Sequence, residues 1–222
     1  HFVRDELQRQ ENIVTEEVDI RVVSASEVIA MDEGPTALRH KPNASVKVAA
    51  ELVANGEAAA FFSAGNTGAT LIAAHSVFGM MPGVDRPALA TTIPTRHRDA
   101  VLLDVGATID CRPRHLLQFA AMGTVYAERV LGIKNPRVGL LSIGEEAIKG
   151  NELTRDAHHL LSSSDIRFIG NLEARDLYSG DADVVVCDGF TGNVALKVSE
   201  GLVEVVEDLL RDELSRTFTT QL

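Results

Sequence analysis

Three solid apolar runs, each closed by a polar elbow, constrain this chain more than any other feature. They are residues 101–105 (VLLDV), 138–143 (VGLLSI) and 183–187 (DVVVC). A strand with one face in water alternates apolar and polar residues, whereas a run that is apolar throughout needs cover on both faces. Helical patterns follow the runs. After Pro113, a favourable first helical residue, the residues Leu116, Ala120, Gly123, Ala127, Val130 and Leu131 fall on one stripe ending at Gly132. In the last helix, residues 194–216, the apolar positions are Leu196, Leu202, Val205, Val206, Leu209 and Leu210. Strands alternating with helices predict an α/β fold, a three-layer sandwich around a parallel or mixed sheet.

The remaining elements fit that frame. Residues 2–10 and 18–23 read as a first element and a strand. Asn43 is the expected N-cap of a helix that carries Val46, Ala49, Ala50 and Val53 and ends at Asn55 and Gly56. Residues 58–62, 89–93 and 167–169 read as strands, and helices are expected from the turn at 63–69 to Phe78 and from Asn151 to Leu161. Gly123 inside a helix costs about 1 kcal/mol relative to alanine. It predicts close approach of a neighbour, either another helix (including one across a dimer interface) or an internal packing partner.

The net charge of −11 argues against nucleic acid and anionic membranes as partners of the whole surface, so an acidic partner would need a local basic patch. Cys111 and Cys187 lack the spacing of a zinc site or a disulfide framework. No apolar run approaches the roughly 20 residues of a spanning helix. No metal or cofactor motif is present.

Ligands of open parallel sheets sit beyond the carboxyl ends of the strands, which makes the elbows the candidate sites. Residues 137–152 (RVGLLSIGEEAIKGNE) place Lys149 in an elbow that leads through Gly150 and Asn151 into a helix, a combination suited to phosphate. An ordinary loop with a solvated lysine fits equally well. Ser63, Gly65, Asn66, Thr67 and Gly68 form a second small-residue elbow, which also reads as a tight turn with Asn66 as N-cap. A third holds Asp188, Gly189, Phe190, Thr191, Gly192 and Asn193; there Asp188 orients a donor and Asn193 faces an oxyanion, or Asp188 and Thr191 simply cap the helix. If all three end sheet strands, they share one edge and one anion-binding cleft.

Asp104, Asp110, Glu145 and Glu146 read as a metal-binding or acid/base set or, in preference, as solvated loop acids; Cys111 reads as an acyl-accepting nucleophile with His115 four residues on or, in preference, as an incidental thiol. His75, His158 and His159 read as core-edge or surface residues. Arg96, His97, Arg98, Arg112, Arg114 and His115 form a basic cluster that either receives an acidic partner or is scattered surface charge.

The segments SASEVIAMDEGP, SAGNTGA, LLDVGATIDCRPRHLLQFAAMGTVYA, RVGLLSIGEEAIKGNEL and DVVVCDGFTGNVALK resemble the bacterial phosphate acyltransferases of phospholipid synthesis over residues 18–201. Thr108 stands where that family usually has Asn, and Arg114 where it commonly has an acid. The family's amino-terminal Asp-Ala-Met-Gly-Gly-Asp segment and glycine-rich carboxy-terminal segment are not in this sequence. Residues 1–222 are therefore expected to form a single α/β domain that is a fragment of the family's fold.

The resemblance implies an isocitrate dehydrogenase/phosphotransacetylase-like fold. It also implies an enzyme that moves a fatty acyl group from acyl-carrier protein to inorganic phosphate. It further implies a cytoplasmic homodimer, peripherally associated with the membrane or with a membrane-bound glycerol-phosphate acyltransferase, without a cofactor. On this reading Lys149 and Asn193 are the catalytic residues. Ser63, Gly65, Asn66, Thr67, Gly68, Asp188, Gly189, Thr191 and Gly192 bind phosphate and acyl groups, and Arg96, Arg98, Arg112 and Arg114 meet the carrier. The alternatives are a phosphotransacetylase-like enzyme using acyl-coenzyme A and a non-catalytic scaffold that binds anions or carrier.

Overall fold

The computed structural model describes residues 20–216. The element expected at 2–10, the start of the strand expected at 18–23 and the last residues, 217–222, lie outside that range. The chain divides into two compact units, the first ending at Gly79 and the second beginning at Met80.

In the first unit a 3-10 helix (Pro35–Arg39) precedes α1 (Ser45–Ala54) and α2 (Thr67–Phe78). Their core is small: Ile29, Leu38, Ala44, Ala50, Ala69 and Ala73. The described part of the strand expected at 18–23, residues 20–23, and residues 58–62 form no ladder, and among the described residues of this unit no strand is available to pair their N–H and C=O groups. Ala44 rather than Asn43 occupies the N-cap position of α1. Asn43 is tied instead to Glu27, whose carboxylate accepts its N–H at 2.8 Å.

The second unit holds a five-stranded mixed sheet of order β1-β2-β5-β3-β4. The strands are β1 (Ala90–Ile93), β2 (Ala100–Leu103), β3 (Val138–Leu141), β4 (Phe168–Leu172) and β5 (Val184–Val186). β1 is antiparallel to β2, and the other pairs are parallel. The three inner strands lie within or at the start of the three apolar runs and are buried at every strand position, while Val105, Ser142 and Ile143 fall beyond the strand ends.

Side chains alternate between two apolar layers. Val101, Leu103, Val138, Leu140, Val184 and Val186 pack with α3 (Pro113–Arg129) and α4 (Glu152–Ser162). On the other face Leu102, Leu141 and Val185 pack with Leu177 of a 3-10 helix (Ala174–Tyr178) and Ala195 of α5 (Gly189–Arg216). At the amino ends of the strands, buried Asp183 accepts from Arg137 Nε at 3.0 Å and pairs with Arg98 Nη2 at 3.0 Å. Burial alone pushes the Asp183 carboxyl up, but the Arg137 hydrogen bonds and the Arg98 charge outweigh it and hold it below the usual carboxylate value.

α5 begins at Gly189, five residues before the predicted start, so DGFTGN is the cap and first turn of a helix. From Val198 onward it carries a stripe of exposed apolar residues, Val198, Leu202, Val205, Val206 and Leu209, spaced as one helical face. Among the described residues no helix is long and apolar enough to cross a membrane.

The close neighbour predicted for Gly123 is the sheet and not another helix. A Cβ there would lie 2.5 Å from Val184 Cγ1 and 2.9 Å from Leu103 Cδ2. Gly123→Ala improves intrinsic helix propensity yet overpacks this contact, so it is expected to lower unfolding free energy by about 1–3 kcal/mol. Urea denaturation checks this; a gain in stability would mean that α3 does not press on the sheet there.

Candidate functional site

Because β2, β5 and β3 are parallel neighbours, the loops that leave their carboxyl ends lie side by side on one edge of the sheet. Two of the three elbows expected from the sequence are here, those after β3 and β5. The third place is taken by the loop after β2, residues 104–112. The Ser63, Gly65, Asn66, Thr67 and Gly68 elbow belongs to the first unit and follows no strand. There Asn66 is the N-cap of α2, accepting from Ala69 N at 3.0 Å and donating to Glu33 O at 2.9 Å.

The β2 loop is shaped by Asp104, which is fully buried rather than solvated as the sequence suggested. Its Oδ1 accepts from Leu89 N at 2.9 Å, Gly106 N at 3.1 Å and Ala107 N at 2.9 Å, and its Oδ2 from Thr108 N at 2.6 Å. Four backbone donors meet one carboxylate, which as an acceptor-only group suits them. Thr108 O then accepts from Gly189 N at 2.9 Å. Gly189 and Gly192 are required for that seat. A Cβ at Gly189 would sit 2.7 Å from Thr108 O and 2.8 Å from Asp104 Oδ2, and one at Gly192 would collide with the Asp104 carbonyl.

The first turn of α5 is closed upon itself. Asp188 Oδ1 accepts from Phe190 N at 3.1 Å and Thr191 N at 2.9 Å, Oδ2 accepts from Thr191 Oγ1 at 2.7 Å, and Asp188 O accepts from Gly192 N at 2.9 Å. Asp188 and Thr191 are therefore capping residues in this arrangement. Asn193 is exposed and lies beside Gly106, the loop after β2.

The β3 elbow is open by contrast. Lys149 is exposed at its tip, with its side-chain stem laid over Gly144. Lys149 N donates to Glu146 O at 2.9 Å. Among the described residues the N–H groups of Glu145, Glu146, Ala147 and Ile148 meet no protein acceptor. Asn151 caps α4, accepting from Thr154 N at 2.9 Å. Exposed amides, one lysine and a helix start face the same solvent, and such a set binds anions. Glu145 and Glu146 are exposed, as is Asp110. Exposed apolar side chains, Ile143, Ile148, Ile109 and Phe190, line this edge.

The basic cluster separates into two groups at opposite ends of β2. Arg96, His97 and Arg98 lie in the turn between β1 and β2, at the amino ends of the parallel strands. Arg112 and Arg114 lie at the start of α3, on the side of the elbows. With Asp85, Arg86, Asp110, Cys111 and His115 they line a cleft of about 680 Å³. Arg114 pairs with Asp85 at 3.1 Å. Burial pushes the Cys111 thiol up to about 11, so it stays protonated at neutral pH and is no activated nucleophile. His115 Nδ1 accepts from Arg112 N at 3.1 Å, and burial holds its imidazole below the usual range.

Residue Asp104, the one that orders this edge, was missed as a structural centre. Its signal was an acid directly at the end of a buried apolar run, followed by Gly-Ala-Thr across two further residues.

Comparison with known proteins places the chain. It is 54% identical to the phosphate acyltransferase of Heliobacterium modesticaldum over 202 residues, 90% of this chain and 60% of that protein. It is 52% identical to the phosphate acyltransferase of Geobacter sp. (strain M21) over 221 residues, 99% of this chain and 62% of that protein. The chain thus spans about three fifths of the length of these relatives. Among solved structures, the EutD phosphotransacetylase from Staphylococcus aureus matches with TM-score 0.54 at 18% identity, over 91% of this chain and 63% of that one. A branched-chain phosphotransacylase from Enterococcus faecalis V583 matches with TM-score 0.51 at 19% identity, over 69% of this chain and 63% of that one. These two share the fold. The model of the fatty acid synthesis protein family matches residues 3–222, and the chain belongs to that family.

Proposed function

We propose that the protein carrying this chain transfers a fatty acyl group from acyl-carrier protein to inorganic phosphate, and that the β3 elbow holds the phosphate. The observation that carries this reading is the contrast along the sheet edge. The amides at the start of α5 and those of residues 106–108 in the β2 loop are taken by Asp188, Thr108 and Asp104, whereas the four of residues 145–148 are open and stand beside a lysine. The names of the curated relatives support the choice of reaction.

A phosphate oxygen attacks the thioester carbonyl and forms the new C–O bond. The carbonyl π electrons move to oxygen, the tetrahedral intermediate collapses, and the C–S bond breaks to release the carrier's thiolate. Phosphate arrives as an anion, so no protein nucleophile is needed, in keeping with the protonated Cys111. Lys149 and the open amides neutralise and orient phosphate. Asn193 donates to the oxyanion, a contribution typically worth roughly 10²–10³ in rate. The exposed apolar side chains Ile109, Ile143, Ile148 and Phe190 offer the acyl chain a surface.

The carrier contact is assigned to Arg112 and Arg114, which share the elbow side of β2. Arg96 and Arg98 lie at the other end, and Arg98 is engaged with Asp183. The acyl-phosphate product is trapped with hydroxylamine as the hydroxamate. In that assay Lys149→Ala is expected to raise the phosphate KM tenfold or more, on the order of one lost charged hydrogen bond, with the carrier KM unchanged. Arg112→Glu is expected to raise the carrier KM alone and to flatten its salt dependence. Full activity of Lys149→Ala at unchanged phosphate dependence would reject the elbow as the phosphate site.

Self-association belongs to the same reading. The exposed stripe Val198, Leu202, Val205, Val206 and Leu209 on α5 is supported as a pairing face by its spacing of three and four residues. Sedimentation is expected to show a dimer that Leu209→Glu weakens toward monomer. A wild type that sediments as a monomer at micromolar concentration would remove this assignment.

A further inference from the structure

Asn171 is a buried amide inside β4, 5% exposed, paired with Leu140 of β3 in the sheet register. A buried amide is costly unless both its ends are bonded, and the sheet gains nothing from it that an apolar side chain would not supply. Both of its bonds leave the sheet. Nδ2 donates to Glu146 O at 3.0 Å, and Oδ1 stands 2.9 Å from Nδ1 of His158 on α4. With Nδ2 spent as the donor to Glu146, Oδ1 is the acceptor, so His158 Nδ1 carries the proton in this pair. The His158 ring is itself held edge-on against Phe168, with centroids 5.0 Å apart.

Glu146 O is also the acceptor for Lys149 N. One carbonyl thus closes the turn that carries Lys149 and anchors that turn to the sheet. Arg155 Nη1 donates to Gly150 O at 2.7 Å where the elbow joins α4, and among the described residues Asn171 is the one side chain that donates to residues 143–149. We infer that Asn171 is the positioning residue of the phosphate elbow, holding the Lys149 turn in register through the Glu146 carbonyl while His158 fixes which way its amide faces. This inference rests on the phosphate reading of that elbow.

The test uses the full-length enzyme, inorganic phosphate as the varied substrate, and the hydroxamate assay. Asn171→Leu keeps the number and branching of side-chain heavy atoms and removes both bonds. It is expected to raise the phosphate KM about 3–10-fold, the effect of one lost hydrogen bond, with kcat and the carrier KM within about twofold of wild type. His158→Phe keeps the ring against Phe168 but lets the amide turn, and a smaller rise in the same parameter is expected. A merely structural role would lower the melting temperature and leave the phosphate KM flat. That result in folded Asn171→Leu, or in His158→Phe if Asn171→Leu does not fold, overturns the inference while leaving the elbow assignment intact. If Lys149→Ala itself leaves the phosphate KM unchanged, the elbow assignment fails and the positioning role fails with it.

Discussion

The edge of the sheet depends on one buried carboxylate. Asp104 sits at the end of β2 with no exposed surface and gathers four backbone N–H groups from Leu89 and from Gly106 to Thr108. Without those bonds the fully buried Asp104 carboxylate and the buried Thr108 amide would be left unpaired, at a cost of a few kcal/mol. The loop is thereby fixed, and its Thr108 carbonyl becomes the seat for Gly189. The position of α5, with Asn193 on its second turn, follows from that seat. Gly189 and Gly192 permit the approach, since any Cβ there would strike the loop.

The same logic explains why the three neighbouring loops are not equivalent. Residues 104–108 of the β2 loop and the start of α5 bind each other through Asp104, Thr108 and Gly189, so those polar groups are consumed in building the edge. The β3 elbow is tied to the sheet at the Glu146 carbonyl by Asn171 and to α4 at the Gly150 carbonyl by Arg155, and the amides of residues 145–148 stay open beside Lys149. Rigid loops on either side and an open, tethered turn between β3 and α4 make an arrangement in which an anion meets preset donors. Positioning of this kind can supply much of the rate when the attacking group arrives already charged.

Much of the fold was legible because burial on both faces leaves a strong mark. The runs at 101–105, 138–143 and 183–187 are the inner strands, and the helices beginning at Pro113 and just after Asn151 lie where their caps put them. Residues 58–62 carry a similar mark yet form no strand and are not buried, Phe62 being 91% exposed, since a short apolar run fixes neither cover for its side chains nor a partner for its backbone. The glycine and acid of DGFTGN look like a turn from sequence, yet with Asp188 as cap they open a helix. Lys149 and the elbow proposed to hold phosphate were picked out from residue types alone. Asp104 could not be, because a carboxylate at a strand end reads the same whether it faces solvent or a ring of amides. Asn171 was likewise invisible: its importance lies in a carbonyl 25 residues away in the chain.

Amide hydrogen exchange in the presence and absence of inorganic phosphate tests the central claim most directly. If the β3 elbow is the anion site, phosphate slows exchange across residues 144–151 and leaves the turn at residues 96–98 unchanged. Slowing confined to other segments, with residues 144–151 exchanging as in the phosphate-free protein, would contradict it.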